Sequence, residues 1–205
     1  MLFVAEAPGR LGAERTGVPL HGDRTGDNFE ALLGNVGWKR EQVFITNAIL
    51  CNPQETNGNN GTPTPEEIEN CSAYLEMVIA LVKPDVVVSL GKTALMALNA
   101  ISPHGLDLRT GVAQMLPWWR CRVFPLYHPG PRALIHRSLA KQRADFMLLA
   151  KLVNPVTGFI VRKKREAKPV IVQQLTPLQQ AALLILEMKR RLTFFKLTKL
   201  LNTAS

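Results

Sequence analysis

Two short strings, far apart in the chain, carry side chains able to do polar chemistry: Glu6-Ala7-Pro8-Gly9 and Tyr127-His128-Pro129-Gly130. Each follows an apolar run, Leu2 to Ala5 and Val123 to Leu126, long enough for one buried strand. A carboxylate and an imidazole placed at two strand ends face each other across one rim of a parallel sheet, where open α/β sheets bind ligands. That pair is a minimal kit for breaking a polar covalent bond with proton transfer. A third polar group, Asn47, closes another apolar run after Ile45 and Thr46. Its amide donates and accepts at once, so it can read a ring edge that offers one group of each kind. Singly, each residue has a structural use: an acid at a strand end caps helices or pairs with a cation, and a histidine or asparagine satisfies nearby backbone.

The elements that must position these groups are readable. The runs Leu2–Ala5, Val43–Leu50, Asp85–Leu90 and Arg122–Tyr127 are apolar and β-branched and predict four strands. Between them, Asn28–Leu33, Pro65–Val82, Lys92–Ala100 and Arg132–Val153 carry helical patterns. Thr25 or Asp27 is the expected cap of the first helix. Thr64, Pro65 and Glu67 form a capping box with proline at the first helical position. Strands alternating with helices predict an α/β fold, a three-layer α/β/α sandwich around a short, mostly parallel four-stranded sheet. The polar stretch Asn52–Pro65 reads as an irregular loop. The expected organisation is one domain over residues 1–153, a basic linker over 154–175 containing Arg162–Lys168, and a helical tail over 176–205 opened by Thr176 and Pro177.

At 205 residues and 46% hydrophobic content, the chain can bury one full core. No apolar run approaches the length of a membrane span, and the amino end lacks the basic leader and long apolar segment of a secretion signal. Three cysteines in such a chain argue against a disulfide framework and for thiols or metal ligands, so a cytoplasmic location is the default; a monomer is the expected state. Charge is uneven. Residues 1–150 hold 14 Lys/Arg against 14 Asp/Glu, whereas residues 151–205 hold 11 against 2 and carry the whole net charge of +9. Within the neutral part, Arg109, Arg120, Arg122, Arg132, Arg137, Lys141 and Arg143 face only Asp107 and Asp145 around the histidine motif. A polyanion suits that flank, although a solvated basic face is the plain alternative.

Six motifs occur in order: VAEAPG at Val4, TGVPLHGD at Thr16, FITNAILCNP at Phe44, TPEEIENCSAYL at Thr64, LGKTA at Leu90 and PLYHP at Pro125. Over roughly residues 2–150 this series resembles the uracil-DNA glycosylase superfamily, most closely its iron–sulfur branch, family 4. That branch runs GEAPG, GxPFVG, TNxxKCxPP, PTPEEIxxCxPYL, LGxxA and YHPS. The resemblance implies a monofunctional DNA repair enzyme that hydrolyses the N-glycosidic bond of uracil, or another deaminated base, flipped out of DNA. In that reading Glu6 orients the attacking water and favours positive charge on the sugar, and His128 donates to the uracil carbonyl as charge develops there. Asn47 reads the uracil edge. The segment Gly130-Pro131-Arg132-Ala133-Leu134 corresponds to the loop that probes the minor groove, with Arg132 or Leu134 as the wedge. No lysine stands in either motif, so no Schiff-base lyase step is expected. The implied partner is uracil-containing DNA, and the implied location is the nucleoid.

The chain departs from the family pattern at several points. Leu20 occupies the position of the aromatic that stacks on the flipped base, and the Thr-Gly-Asp27 element looks more like family 5. Family 4 also binds a [4Fe–4S] cluster through four cysteines; Cys51 and Cys71 match two of them, with 19 residues between, and Cys121 matches none. A gene model truncated at its amino end would account for the missing pair, and loss of the cluster is the other reading. The segment Leu175–Leu201 resembles the opening of a Panacea-type antitoxin domain; a basic amphipathic helix is the alternative. The rival function for the whole is a non-catalytic nucleic-acid-binding module on the same fold. A small-molecule hydrolase or nucleotide-binding enzyme is the third.

Overall fold

A computed structural model describes residues 1–153 of the chain. In order these form β1 (Leu2–Ala5), α1 (Ala13–Thr16), α2 (Arg24–Asn35), β2 (Phe44–Asn47), α3 (Pro65–Val82) and β3 (Val86–Leu90). There follow α4 (Lys92–Ile101), α5 (Leu108–Gly111), β4 (Leu116–Trp118), β5 (Cys121–Leu126) and α6 (Leu139–Val153). The expected linker and helical tail, and the likeness to a Panacea-type domain, lie outside the described residues.

The sheet order is β2-β1-β3-β5-β4. The first three pairings are parallel, with Val4 opposite both Thr46 and Ser89, and Ala5 opposite Asn47. The sheet thus has five strands, not four. The extra one, β4, runs antiparallel to β5 at the edge through a tight turn in which Trp119 adopts a φ of 45°. Three residues with a proline at the centre carry too little alternation to read as a strand, and an edge position tolerates that proline.

Alternate side chains of β1 enter two separate cores. Phe3 and Ala5 pack with Phe29, Leu32 and Leu33 of α2 and Phe146 and Leu149 of α6. Leu2 and Val4 pack with Ile68, Leu75 and Ile79 of α3 and Ala94, Ala97 and Leu98 of α4. The expected three layers follow, since a strand covered on both faces must be apolar throughout. One layer is pinned by rings: Phe3 meets Phe29 edge-on at 5.3 Å and stacks on Phe146 at 5.9 Å.

Helix starts follow local chemistry. Thr64 accepts from the Glu67 N–H while Glu67 accepts from the Thr64 N–H, the box expected from sequence. For α2 the cap is Asp23, which accepts from the Gly26 N–H at 2.9 Å, so the helix begins four residues earlier than its apolar pattern and neither Thr25 nor Asp27 caps it. The long helix expected from Arg132 is split into a 3-10 turn over Pro131–Ile135 and α6. Ser138 separates them, its hydroxyl and carbonyl accepting from the N–H groups of Lys141 and Gln142.

Candidate active site

The carboxyl ends of the four parallel strands meet at one rim. Glu6 follows β1, Asn47 ends β2, Gly91 follows β3, and Tyr127-His128 follow β5. There Glu6, Leu20 and His128 line a common cleft of about 110 Å³, together with His21, Asp23, Asn52 and Asn60. That volume admits one small planar ring. Asn47 is buried in the register position beside Ala5, one residue before Glu6, and does not line the cleft itself.

His128 has a defined tautomer. The Gly130 N–H donates to its Nδ1 at 3.1 Å, so the neutral ring carries its proton on Nε2 as a donor. Burial pushes the His128 pKa down from 6.5, opposed by the negative charges of Glu6 and then Asp23. The ring is therefore held neutral at physiological pH while two acids stand near it. Gly91, at a φ of 95°, lets the ring approach: a Cβ there would lie 3.2 Å from the His128 Cβ.

The chain around His128 is tied on three sides. Asn28 of α2 donates to the Pro129 carbonyl at 2.8 Å. Gln142 of α6, almost wholly buried, donates to the carbonyls of both His128 and Arg137, joining the two ends of the intervening loop. Arg137 lies over the Tyr127 ring at 6.0 Å and makes a bidentate pair with the buried Asp145. None of these clamps was singled out in the sequence, because they pair residues across separate elements.

The other named residues fall as follows. Leu20 is buried with a φ of 50°, a left-handed conformation that costs a leucine about 1 kcal/mol. Arg40 holds it there by donating to the carbonyls of Pro19 and Leu20 while pairing with Glu30 at 2.8 Å. Gly130 is buried and Arg132 is exposed. Leu134 is half-buried, whereas its neighbour Ile135 is 86% exposed and presents the apolar tip of that loop.

Cys51 and Cys71 are near enough to interact. The Cys51 thiol pKa is pushed up by burial first and by Cys71 second. Cys121 opens β5 at the opposite end of the sheet. A four-iron cluster needs four thiolates, the whole chain has three cysteines, and no group of three or more His, Cys, Asp or Glu able to hold a metal occurs among the described residues. The residues present do not fit the cluster that the sequence resemblance implies. No described helix is long and apolar enough to cross a membrane.

Residues 1–150 match the family model of the uracil DNA glycosylase superfamily. The chain is 32% identical over 161 residues to a type-4 uracil-DNA glycosylase of Archaeoglobus fulgidus, an alignment covering 74% of this chain and 76% of that one. It is 43% identical over 137 residues to a type-4 uracil-DNA glycosylase of Thermotoga maritima, covering 63% and 64%. A type-5 uracil-DNA glycosylase of Pyrobaculum aerophilum is 31% identical over 151 residues, covering 64% and 61%.

Proposed function

The chain belongs to the uracil DNA glycosylase superfamily, close to its type-4 branch, and from that premise we propose that it excises uracil from DNA by hydrolysing the N-glycosidic bond. The observation that carries this reading is the meeting of Glu6 and His128 in one small cleft at the carboxyl rim of the sheet.

A base inside a duplex cannot reach such a cleft, so the nucleotide is flipped into it first. His128, neutral and protonated on Nε2, donates to the uracil carbonyl as the ring departs with the electron pair of the C1′–N1 bond. Donating from a neutral imidazole leaves the proton where it is and stabilises the anion through a fixed dipole. Glu6 favours the positive sugar, orients water towards C1′ and takes the proton that water loses when the new C–O bond forms. Asn47, at the adjacent strand end, reads the uracil edge, and Leu20 supplies apolar contact where relatives in the family pattern place a ring. The loop from Gly130, with exposed Arg132 and Ile135 at its surface, meets the DNA. The catalytic unit is residues 1–153, acting as a cytoplasmic monomer, and hydrolysis needs no covalent intermediate with the protein.

The test is release of uracil from an oligonucleotide containing one uracil, under single-turnover conditions, by the wild-type chain and by Glu6→Gln and His128→Ala. Release by wild type and a loss of at least about tenfold in each variant is expected. A His128→Ala rate equal to wild type overturns the role given to the imidazole. Salt-sensitive DNA binding without base release by wild type assigns the chain to the non-catalytic module instead.

A further inference from the structure

We propose that Thr93 is a positioning residue for Glu6, setting which carboxylate oxygen faces the attacking water; this rests on the glycosylase reading above. The Thr93 hydroxyl donates to Glu6 Oε2 at 2.6 Å, a length typical of O–H bonds to an ionised oxygen. No other side chain among the described residues makes a hydrogen bond to that carboxylate.

The geometry gives the bond its purpose. The terminal torsion of a glutamate is a broad, two-fold rotor, so an untethered carboxylate at the end of β1 samples many orientations. One oxygen fixed by a hydroxyl leaves a single orientation and a single free oxygen, Oε1. The hydroxyl itself is well placed to do this. Thr93 is the second residue of α4, 7% exposed, with a β-branched side chain stiff at its first torsion. Deeper in a helix a threonine hydroxyl turns back to the carbonyl four residues earlier. Four residues before Thr93 lies Ser89, which belongs to β3 and spends its backbone in the sheet, so the hydroxyl turns outward to Glu6. The junction is rigid, since the Gly91 N–H donates to the Leu126 carbonyl at 2.7 Å. Strand β1, helix α4 and the histidine-bearing end of β5 are thereby fixed to one another at the cleft. A misplacement of about 1 Å at such a centre costs about a hundredfold in rate.

Thr93→Val keeps the shape and removes the donor, and Thr93→Ser keeps the donor and removes the methyl. We measure single-turnover uracil release, oligonucleotide Kd and thermal unfolding for both, and repeat Thr93→Val in a Glu6→Gln background. The expected result is at least about a tenfold loss for Thr93→Val with Kd unchanged, near wild-type release for Thr93→Ser, and little further loss when Thr93→Val is added to Glu6→Gln, because coupled residues are not additive. Wild-type release by Thr93→Val, equal losses in the Val and Ser variants, or full additivity with Glu6→Gln overturns the inference. A wild-type chain that releases no uracil overturns the glycosylase reading, and this inference falls with it.

Discussion

The main-chain N–H of Gly130 donates to Nδ1 of His128 at 3.1 Å, and a side chain added at position 130 presses on that ring, which must shift to admit it. A Cβ at position 130 would come within 2.8 Å of Nδ1 and 3.1 Å of Cε1. The backbone is no obstacle, since Gly130 has φ −68° and ψ 154°, values any residue adopts. Gly130→Ala therefore strains the imidazole and not the chain. Uracil release is expected to fall roughly tenfold or more while the unfolding midpoint moves by only a few degrees. A Gly130→Ala chain as fast as wild type would show that the aim of the ring does not govern the rate.

The pH dependence follows from the direction of the His128 shift. Burial lowers its folded pKa below 6.5, the neutral ring is the working form, and so the rate is flat across the ordinary histidine range and falls only at more acid pH. Stability moves with the same sign. Between the folded and unfolded pKa values the unfolded chain binds the extra proton, so the contribution of a neutral His128 is fully present above about pH 6.5 and is lost as pH falls towards the folded value. His128→Gln removes that slope. Release rates and denaturant midpoints over a pH series test both, and a rate midpoint above 6.5 would contradict the assignment.

Local rules made much of this legible, and distance hid the rest. Thr64, Pro65 and Glu67 announce a helix start because all three act within one turn. Asp23 went unrecognised because Thr25 and Asp27 are equally good caps by type and position alone. Strand ends placed Glu6, Asn47 and His128 on one rim, since apolar runs fix where strands stop. Glu6 and His128, expected to face each other there, do share a cleft; that Asn47 stands beside it and not in it was not readable. Thr93 sits inside a quoted motif, yet its partner is 87 residues away, and only the β3–α4 junction brings the two together. The clamps Asn28, Gln142 and Asp145 were invisible for the same reason.

The loop beyond His128 presents a different apolar residue from the one its motif suggests. Leu134 is half-buried, while Ile135 is 86% exposed. Burial of an isoleucine side chain is worth about 1.5–3 kcal/mol, so if Ile135 fills the vacated stack, Ile135→Ala slows release from duplex DNA roughly tenfold. Single-stranded substrate has no stack to fill and is expected to be cleaved by this variant at the wild-type rate. Equal losses on both substrates would remove Ile135 from the flipping step.

Cys51 and Cys71 stand together, and their number sets a limit on what they can hold. A [4Fe–4S] cluster takes four thiolates, and the third cysteine, Cys121, opens β5 at the far end of the sheet. The Cys51 thiol is also pushed above its ordinary range by burial and by its neighbour, which disfavours the ionised form that metals and alkylating agents require. The 205-residue chain offered ferrous iron and sulfide under anaerobic conditions is therefore expected to remain without a four-iron cluster. Cys51→Ser with Cys71→Ser is expected to leave uracil release within about threefold of wild type, since neither residue lines the cleft of Glu6 and His128. Recovery of four iron and four sulfide per chain, or collapse of activity in the double variant, would mean that this pair does more than two thiols account for.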